Sequence, residues 1–391
     1  MTLDRRASLS VFAVEDTTVQ LTWRDLPPGE VQLGVEDADG PGRRSGGCGH
    51  PTTTVTTGGD AGAVVLTGLP ADRRLMISAH LPGRGDTITV RARTLPTLPG
   101  AELARMATVG DLHLGATVFG QRGTIRERPV PEVAHPERCA AAAFAEAAAW
   151  GASRLVVKGD ITNHGRVHEW RRYAALVARA QVPVDGLPGN HDRAHRSNTS
   201  CLSPEDAATV FALSMASPVL VRELPGIRLV LVDTTTGGHN FGHIEPFAEE
   251  VLDAVAEADP GGVVLVAMHH QLQRFVVSEG WPIGVGHDES VRFLDRLDRV
   301  HPRVLVTSGH THRHRRWDHH GVVSTQIGST KDFPGVWAGY TIHEGGIRQV
   351  VRRVARPDCL RWTDHTRRAA LGVWRWVAPG PLSSRCFNRV W

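Results

Sequence analysis

Hydrophobic positions divide the chain into two grammars. From about Ser8 to Leu95 apolar residues alternate with polar ones in short runs: Val19–Trp23, Val31–Val35, Ala63–Leu66, Leu75–Ala79 and Thr87–Arg93. Clusters of Gly and Pro separate these runs. A period of two predicts half-buried strands, and several at roughly ten-residue intervals predict a small all-β sandwich over residues 1–96. Asp39 to Pro51, rich in Gly, predicts a flexible loop. After Leu95-Pro-Thr-Leu-Pro-Gly100, continuous apolar runs alternate with helical stretches. Strands are predicted at Ala104–Val109, Arg154–Val157, Pro183–Gly186, Leu229–Val232, Val263–Ala267 and Val304–Val306. Helices are predicted at Glu137–Trp150, His168–Ala180, Pro204–Met215, Pro246–Ala258 and Glu289–Val300. Val322–Ile327 and Val336–Ile342 read as strands that finish the sheet. The expectation is a layered α/β domain over 101–350 and an Arg- and Trp-rich tail over 351–391.

Composition changes this picture little. With 391 residues, 41% hydrophobic and 22% charged, the chain has the make-up of a globular protein, with no apolar run of the ~20 residues that a membrane span needs. The apolar patch after Arg5 and Arg6 is interrupted at Glu15, too short for a secretory leader. Five scattered cysteines (48, 139, 201, 359, 386) form no CxxC pair, so reduced thiols and a cytoplasmic setting are expected, a Cys359–Cys386 bridge being the one exception kept open. Net charge is +3, but residues 346–391 hold ten Arg against two Asp, leaving 34 basic and 39 acidic residues elsewhere. Lys158 and Lys331 are the only lysines.

Candidate chemistry sits just past the predicted strands. Five segments carry it: Gly110-Asp-Leu-His113, Gly159-Asp160, Gly189-Asn-His-Asp192, His269-His270 and Gly309-His-Thr-His312. In open α/β sheets, sites form outside the carboxyl ends of strands, where residues distant in sequence meet. Carboxylate, imidazole and amide oxygen suit hard-to-borderline cations, and one Asp can bridge two of them. The absence of thiolates argues against a structural zinc knot.

In order and spacing these segments resemble the calcineurin-like metallophosphoesterase superfamily, over roughly Arg105 to His343. The resemblance implies a four-layer α/β/β/α sandwich and two metal ions, with Mn, Fe, Zn or Co all acceptable to such ligands. It implies that Asp111, His113, Asp160 and His312 hold the first ion, and Asp160, Asn190, His269 and His310 the second. His191 matches the family's histidine that faces the phosphate, with Asp192 available to orient its ring, and attack by a metal-bridging hydroxide follows. Activity is then expected to collapse in mild acid as metal is lost.

Gly159-Asp-Ile-Thr-Asn-His-Gly165 departs from the pattern of serine/threonine protein phosphatases, and Asn163 stands where purple acid phosphatases have a tyrosine ligand. The segments Gly159–Asn163, Pro188–Asp192 and Ala267–His270 look like class III cyclic nucleotide phosphodiesterases and glycerophosphodiesterase-like relatives. Hydrolysis of a small phosphodiester is the expected activity. A recombination-repair type nuclease, which Asp111-Leu-His-Leu-Gly115 and the basic tail also resemble, is the alternative, nucleic acid then being the partner. A phosphomonoesterase and a metal-free scaffold are the others. The stretch Leu66–Leu75 resembles the E-to-F corner of a fibronectin type III domain, with Leu75 in place of the usual tyrosine.

His164, His195, His239, His243 and His314 are read as pocket-lining or ordinary loop histidines, and Asp233 as a hydrogen-bonded loop carboxylate. Lys158 is expected in sheet packing with its head snorkelling outward. The tail tryptophans 362, 374 and 376 are expected to pack on the domain while the arginines face water. No feature of the sequence specifies an oligomeric state.

Overall fold

A computed structural model describes residues 7–38, 53–81, 86–120, 123–129, 131–194, 200–277 and 282–391. The loop expected at 39–51 and His195 lie outside the described residues. Seven strands build the N-terminal part: β1 (Ser8–Val14), β2 (Val19–Arg24), β3 (Gly29–Asp37), β4 (Thr53–Thr57), β5 (Gly62–Leu66), β6 (Arg74–His80) and β7 (Thr87–Arg93). They form two antiparallel sheets of order β1-β2-β5 and β4-β3-β6-β7. Inward residues Leu21, Val31, Leu33, Leu75 and Ile77 are fully buried, as the alternation requires.

The second part follows in the order β8 (Glu102–Val109), β9 (Val118–Phe119), β10 (Ile125–Arg126), α1 (His135–Ala149), β11 (Leu155–Lys158), α2 (Val167–Ala178), β12 (Val184–Leu187) and α3 (Pro204–Phe211). It continues with β13 (Val219–Leu224), β14 (Ile227–Val232), α4 (Ala248–Ala256), β15 (Val263–Met268), α5 (His287–Val300) and β16 (Val304–Ser308). Then come β17 (Arg315–His319), β18 (Val322–Gln326), β19 (Val336–His343), β20 (Gly346–Arg353), α6 (Pro357–Thr366), α7 (Trp374–Val377), α8 (Leu382–Arg385) and β21 (Phe387–Val390).

Two six-stranded mixed sheets result, of order β12-β11-β8-β19-β20-β21 and β13-β14-β15-β16-β18-β17. Side-chain alternation assigns their faces. Met106 and Val156 of the first sheet share one core with Leu229, Leu231, Leu265 and Leu305 of the second. The neighbouring Ala107, Val109, Leu155 and Val157 turn the other way, against Phe144 of α1 and Trp170 of α2. Val230, Val264 and Val306 likewise pack on Val251 of α4 and Leu294 of α5. The layers are therefore helix, sheet, sheet, helix, the expected α/β/β/α architecture. No helix among the described residues is long and apolar enough to cross a membrane.

The last forty residues are built into this frame. Strand β21 pairs with β20, and Trp362 is buried with its Nε1 donating to the Lys331 carbonyl at 2.7 Å. Trp374 donates to the Phe333 carbonyl at 3.1 Å, whereas Trp376 stays 73% exposed. Beside these tryptophans Arg361, Arg368 and Arg375 are exposed and Arg367 is half-buried, as expected, whereas Arg348, Arg353 and Arg385 are buried. Cys359 and Cys139 are free thiols hydrogen-bonded to each other in the α1–α6 seam, while the Cys386 thiol accepts from the Val14 amide, so Cys359 and Cys386 have different neighbours. Helix α3 stops at Phe211, four residues earlier than expected, because Ala212 takes a left-handed conformation.

Candidate metal centre

Strands β8, β11 and β12 are mutually parallel, as are β14, β15, β16 and β18. The candidate ligands all lie one to four residues beyond the carboxyl ends of these strands: Asp111 and His113 after β8, Asp160 after β11, Asn190 after β12, His269 after β15, and His310 and His312 after β16. The loops interlock through their backbones. The Asp111 amide donates to the Gly159 carbonyl at 3.1 Å, the His113 amide to the Asp160 carbonyl at 2.7 Å, and the Gly309 amide to the His269 carbonyl at 2.9 Å. The glycines are steric necessities: a Cβ at Gly159 would lie 2.5 Å from the His269 ring, and one at Gly189 would lie 2.2 Å from the Asp160 amide.

Five of the seven ligand candidates hold left-handed backbone: Asp111 (φ 54°), His113 (47°), Asp160 (47°), His310 (67°) and His312 (54°). Such conformations cost of order 1–3 kcal/mol each and persist where surrounding structure enforces them. Their concentration in one crevice marks the place where the fold gives up local stability.

All seven side chains converge. His113 Nε2 lies 3.4 Å from Asp160 Oδ2 and 3.3 Å from His312 Nε2, and His312 Nε2 lies 3.4 Å from Asp111 Oδ1. On the other side, His269 Nε2 lies 3.3 Å from Asp160 Oδ1, 3.2 Å from Asn190 Oδ1 and 3.1 Å from His310 Nδ1. Asp160 thus turns one carboxylate oxygen to each group of donors.

The chemistry of these donors fits cations. The Lys158 carbonyl accepts from His269 Nδ1 at 3.0 Å and the Ile283 carbonyl from His310 Nε2 at 3.2 Å, which fixes the protons on those nitrogens. The remaining nitrogens then face each other as lone pairs at 3.1 Å, an arrangement that a positive charge between them stabilises. Burial opposes a charged His269, yet Asp160 raises its pKa to about 9. Burial drives His310 down to about 3 and His113 well below the ordinary imidazole value. Asp160 is held well below the carboxylate range by His269, His191 and His113 in spite of burial. Burial raises Asp111, whose Oδ2 is enclosed without a hydrogen-bond partner. An enclosed carboxylate oxygen with no donor is a place for a cation.

His191 stands at the rim, its ring edge-on to His113 with centroids 4.6 Å apart and a ring nitrogen within 4.8 Å of ligand atoms of His113 and Asp160. Its orientation corrects the sequence reading. His191 Nδ1 donates to the Asn163 carbonyl at 3.0 Å, not to Asp192. The Asp192 carboxylate instead accepts from the amides of Ile161 (3.1 Å), Thr162 (2.7 Å) and Gly189 (2.8 Å) and from the Thr162 hydroxyl (2.6 Å). Asp192 staples the Asp160 and Asn190 loops together. Burial raises its pKa to about 6.

The other candidates take quieter places. His270, bonded to Thr234 Oγ1 at 2.9 Å, packs behind His310. Asp233 is tied to Arg193 and to the Thr235 amide, as a loop carboxylate. His164 is exposed, His239 packs on Phe241, His243 pairs with Glu289 at 3.1 Å, and His314 is buried, accepting from the Gly328 amide. Lys158 does not snorkel. Its buried head crosses to the other sheet, donating to Thr307 Oγ1 at 2.9 Å and the Ser308 carbonyl at 2.7 Å, and burial lowers its pKa to about 7.

Two functional neighbours escaped the sequence reading. Asp332 Oδ2 accepts from His312 Nδ1 at 2.9 Å and is itself held by Lys331 Nζ at 2.9 Å. Asp332 falls to about 2, burial being outweighed by His312 and Lys331. The one signal available was compositional: a lysine in a chain that otherwise uses arginine.

Residues 104–314 match the calcineurin-like phosphoesterase family, more than half of the chain. The chain belongs to this family. With the buried His and Asp clusters, it is a metal-dependent phosphoesterase. Over 221 residues it is 24% identical to the 3′,5′-cyclic adenosine monophosphate phosphodiesterase CpdA of Vibrio vulnificus (strain CMCP6), covering 53% of this chain and 76% of that protein. Over 161 residues it is 22% identical to a probable glycerophosphodiester phosphodiesterase, GpdQ, of Arcobacter nitrofigilis, covering 41% of this chain and 56% of the other. A solved structure of PhoD aligns with 88% of this chain and 85% of its own at 11% identity and a TM-score of 0.44.

Proposed function

We propose that this metallophosphoesterase holds two cations and hydrolyses a phosphodiester. The observation that carries the reading is Asp160, which turns Oδ2 to His113 and Oδ1 to His269, each imidazole belonging to a separate set of donors. The first set is Asp111, His113, Asp160 and His312, and the second Asp160, Asn190, His269 and His310. Two divalent ions in such a site lower the pKa of water and offset the charge of phosphate oxygens. The protein's own part is to orient and to move a proton. The Asn163 carbonyl fixes the proton of His191 on Nδ1, so Nε2 is the nitrogen that exchanges a proton with the leaving oxygen. Asp332 holds His312 in the tautomer that leaves Nε2 free for a cation.

The preference for a diester draws support from the two similar proteins named above, both phosphodiesterases by name, at 24% and 22% identity. Metal-reconstituted protein should turn over bis(p-nitrophenyl) phosphate faster than p-nitrophenyl phosphate. Preference for the monoester would replace this assignment. The nuclease alternative cannot be tested by removing the tail, because β21 pairs with β20 inside the first sheet. Salt dependence of DNA affinity in the intact chain tests it instead, a steep fall of affinity with salt favouring the nuclease. The strand orders β1-β2-β5 and β4-β3-β6-β7 support a fibronectin type III-like reading of the N-terminal sandwich.

A further inference from the structure

Beside the metal centre, the β9–β10 hairpin with the segment after it and helix α6 enclose a cleft of 760 Å³. Arginines line both walls: Arg126 and Arg128 on one, Arg361 and Arg368 on the other. The two carboxylates of the lining do not neutralise them. Glu127 and Asp358 both pair with Arg138, and Asp358 also takes a two-point contact from Arg356 at 2.7 and 2.8 Å. Arg126 and Arg128 have no ion-pair partner among the described residues, Arg361 reaches Asp60 only at 3.9 Å, and Arg368 contacts the His365 ring at 2.5 Å. Four guanidinium groups facing one cavity repel one another, and a bound anion reverses that balance.

The β9–β10 hairpin lies between the cleft and the metal ligands. An adjoining pocket of 400 Å³ shares Arg126 and Arg128 with it and extends to Val118. The next residue, Phe119, lies nearly parallel to the His312 ring, 14° between planes and 6.3 Å between centroids. On the opposite wall Trp362 donates to the carbonyl of Lys331, whose ammonium holds the Asp332 carboxylate behind His312. Val118, Phe119 and Trp362 thus stand between the arginines and the His312 side of the ligand cluster.

We propose that this cleft is a second anion subsite, which takes a phosphate group that the substrate carries apart from its scissile ester. Planar guanidinium forks match phosphate oxygens two at a time, and approach from opposite walls selects a group on a ligand long enough to span the two pockets. Its link to catalysis rests on the phosphodiester reading above, whereas its test rests on binding alone.

The test titrates manganese-loaded full-length protein calorimetrically with thymidine 5′-monophosphate and thymidine 3′,5′-bisphosphate. The bisphosphate should bind about tenfold more tightly. In the double variant Arg126→Ala with Arg361→Ala, two exposed side chains without a buried role, that advantage should shrink below about threefold while monophosphate affinity stays unchanged. Equal affinity for both nucleotides in the unaltered protein would overturn the proposal. So would an advantage that survives in the variant, or an equal weakening of both ligands, which is a long-range charge effect. Turnover of bis(p-nitrophenyl) phosphate in the same preparations separates the two readings. Its absence counts against hydrolysis of diesters and leaves the binding result to decide the cleft.

Discussion

Asp332 reaches the metal centre through a single bond to His312 Nδ1, and that bond decides which nitrogen of the ring faces the donors of Asp111 and His113. Replacing Asp332 with Asn keeps the shape but removes the charge. A 10- to 100-fold loss of affinity for the more weakly held cation is expected, as is usual for partners behind metal ligands. Equilibrium dialysis against graded metal buffers reads this, and unchanged affinity would remove Asp332 from a positioning role. His191 predicts a different signature. His191→Gln should lower kcat by about 100- to 10,000-fold at unchanged metal content, with a larger loss for alkyl than for p-nitrophenyl leaving groups, which need no proton. An equal loss for both leaving groups would assign His191 to charge stabilisation. Side chains of both kinds illustrate what a sequence displays. The seven ligand candidates were legible because each follows a strand and most follow a glycine, so their spacing is dictated by the backbone turn. Asp332 was not, since a carboxylate that serves through another residue leaves no such spacing, and Asp192 was assigned to the ring of His191 because adjacency in sequence cannot show which loop amides a carboxylate meets.

At the level of elements, the strands that face helices on one side and the opposite sheet on the other were the easiest to read. Val263–Met268 and Val304–Ser308 are buried at every position, and only a central strand demands that. One strand that the sequence pattern hides carries charge. Gly346–Arg353 reads as polar, yet Arg348 and Arg353 are buried in ion pairs and carbonyl contacts that no local pattern announces. Thr53–Thr57 lies at a sheet edge, where alternation is weak. The seam between α1 and α6 makes a prediction of its own. His135 opens α1, is nearly inaccessible, and stacks on Trp362 of α6 at 3.8 Å. Burial, partly opposed by Glu127, lowers its pKa to about 4. The unfolded chain, with an ordinary imidazole near 6.5, therefore binds more protons between pH 6.5 and 4 than the folded chain does. Stability from the neutral ring is present above pH 6.5 and is lost as pH falls toward 4, by of order 3 kcal/mol. Urea unfolding at pH 7 and pH 4.5 should show that loss reduced in His135→Gln, and an unchanged difference would place the acid sensitivity elsewhere.

Across the whole molecule, the sandwich and the phosphoesterase layers are expected to unfold as one cooperative body, because their junction is a continuation of the interior and not a surface contact. Gln20 of β2 makes two bonds to the backbone of Arg353, donating to its carbonyl and accepting from its amide, both at 2.8 Å, in the manner of an added strand residue. Arg348 donates to Asp16 at 2.6 Å and to the Pro96 carbonyl at 3.1 Å, Arg352 pairs with Glu15, and Arg385 donates to the Phe12 carbonyl at 3.0 Å. Phe12 and Val14 belong to the same apolar cluster as Cys386, Phe387 and the residues between the two central sheets. Junctions of this kind are unlike the small polar interfaces that let domains unfold separately. Calorimetry of the metal-loaded chain should therefore give one transition. Gln20→Ala leaves a buried amide and a buried carbonyl of Arg353 without partners, at a cost of about 1–3 kcal/mol each. For a chain this long that lowers the single transition by only about 2–7 °C and does not split it. Two resolved transitions in the unaltered protein, with the lower one moved by Gln20→Ala and the upper one untouched, would show that the sandwich melts alone. The side chains of Arg348, Arg352 and Arg385 show what part of the basic tail does, each meeting the sandwich at Asp16, Glu15 and Phe12 respectively. Asp16, Glu15 and Phe12 lie more than 300 residues away in sequence, on a part of the chain that a local pattern treats as separate, so part of the positive charge near the carboxyl terminus belongs to the junction, whereas Arg361, Arg368 and Arg375 stay exposed.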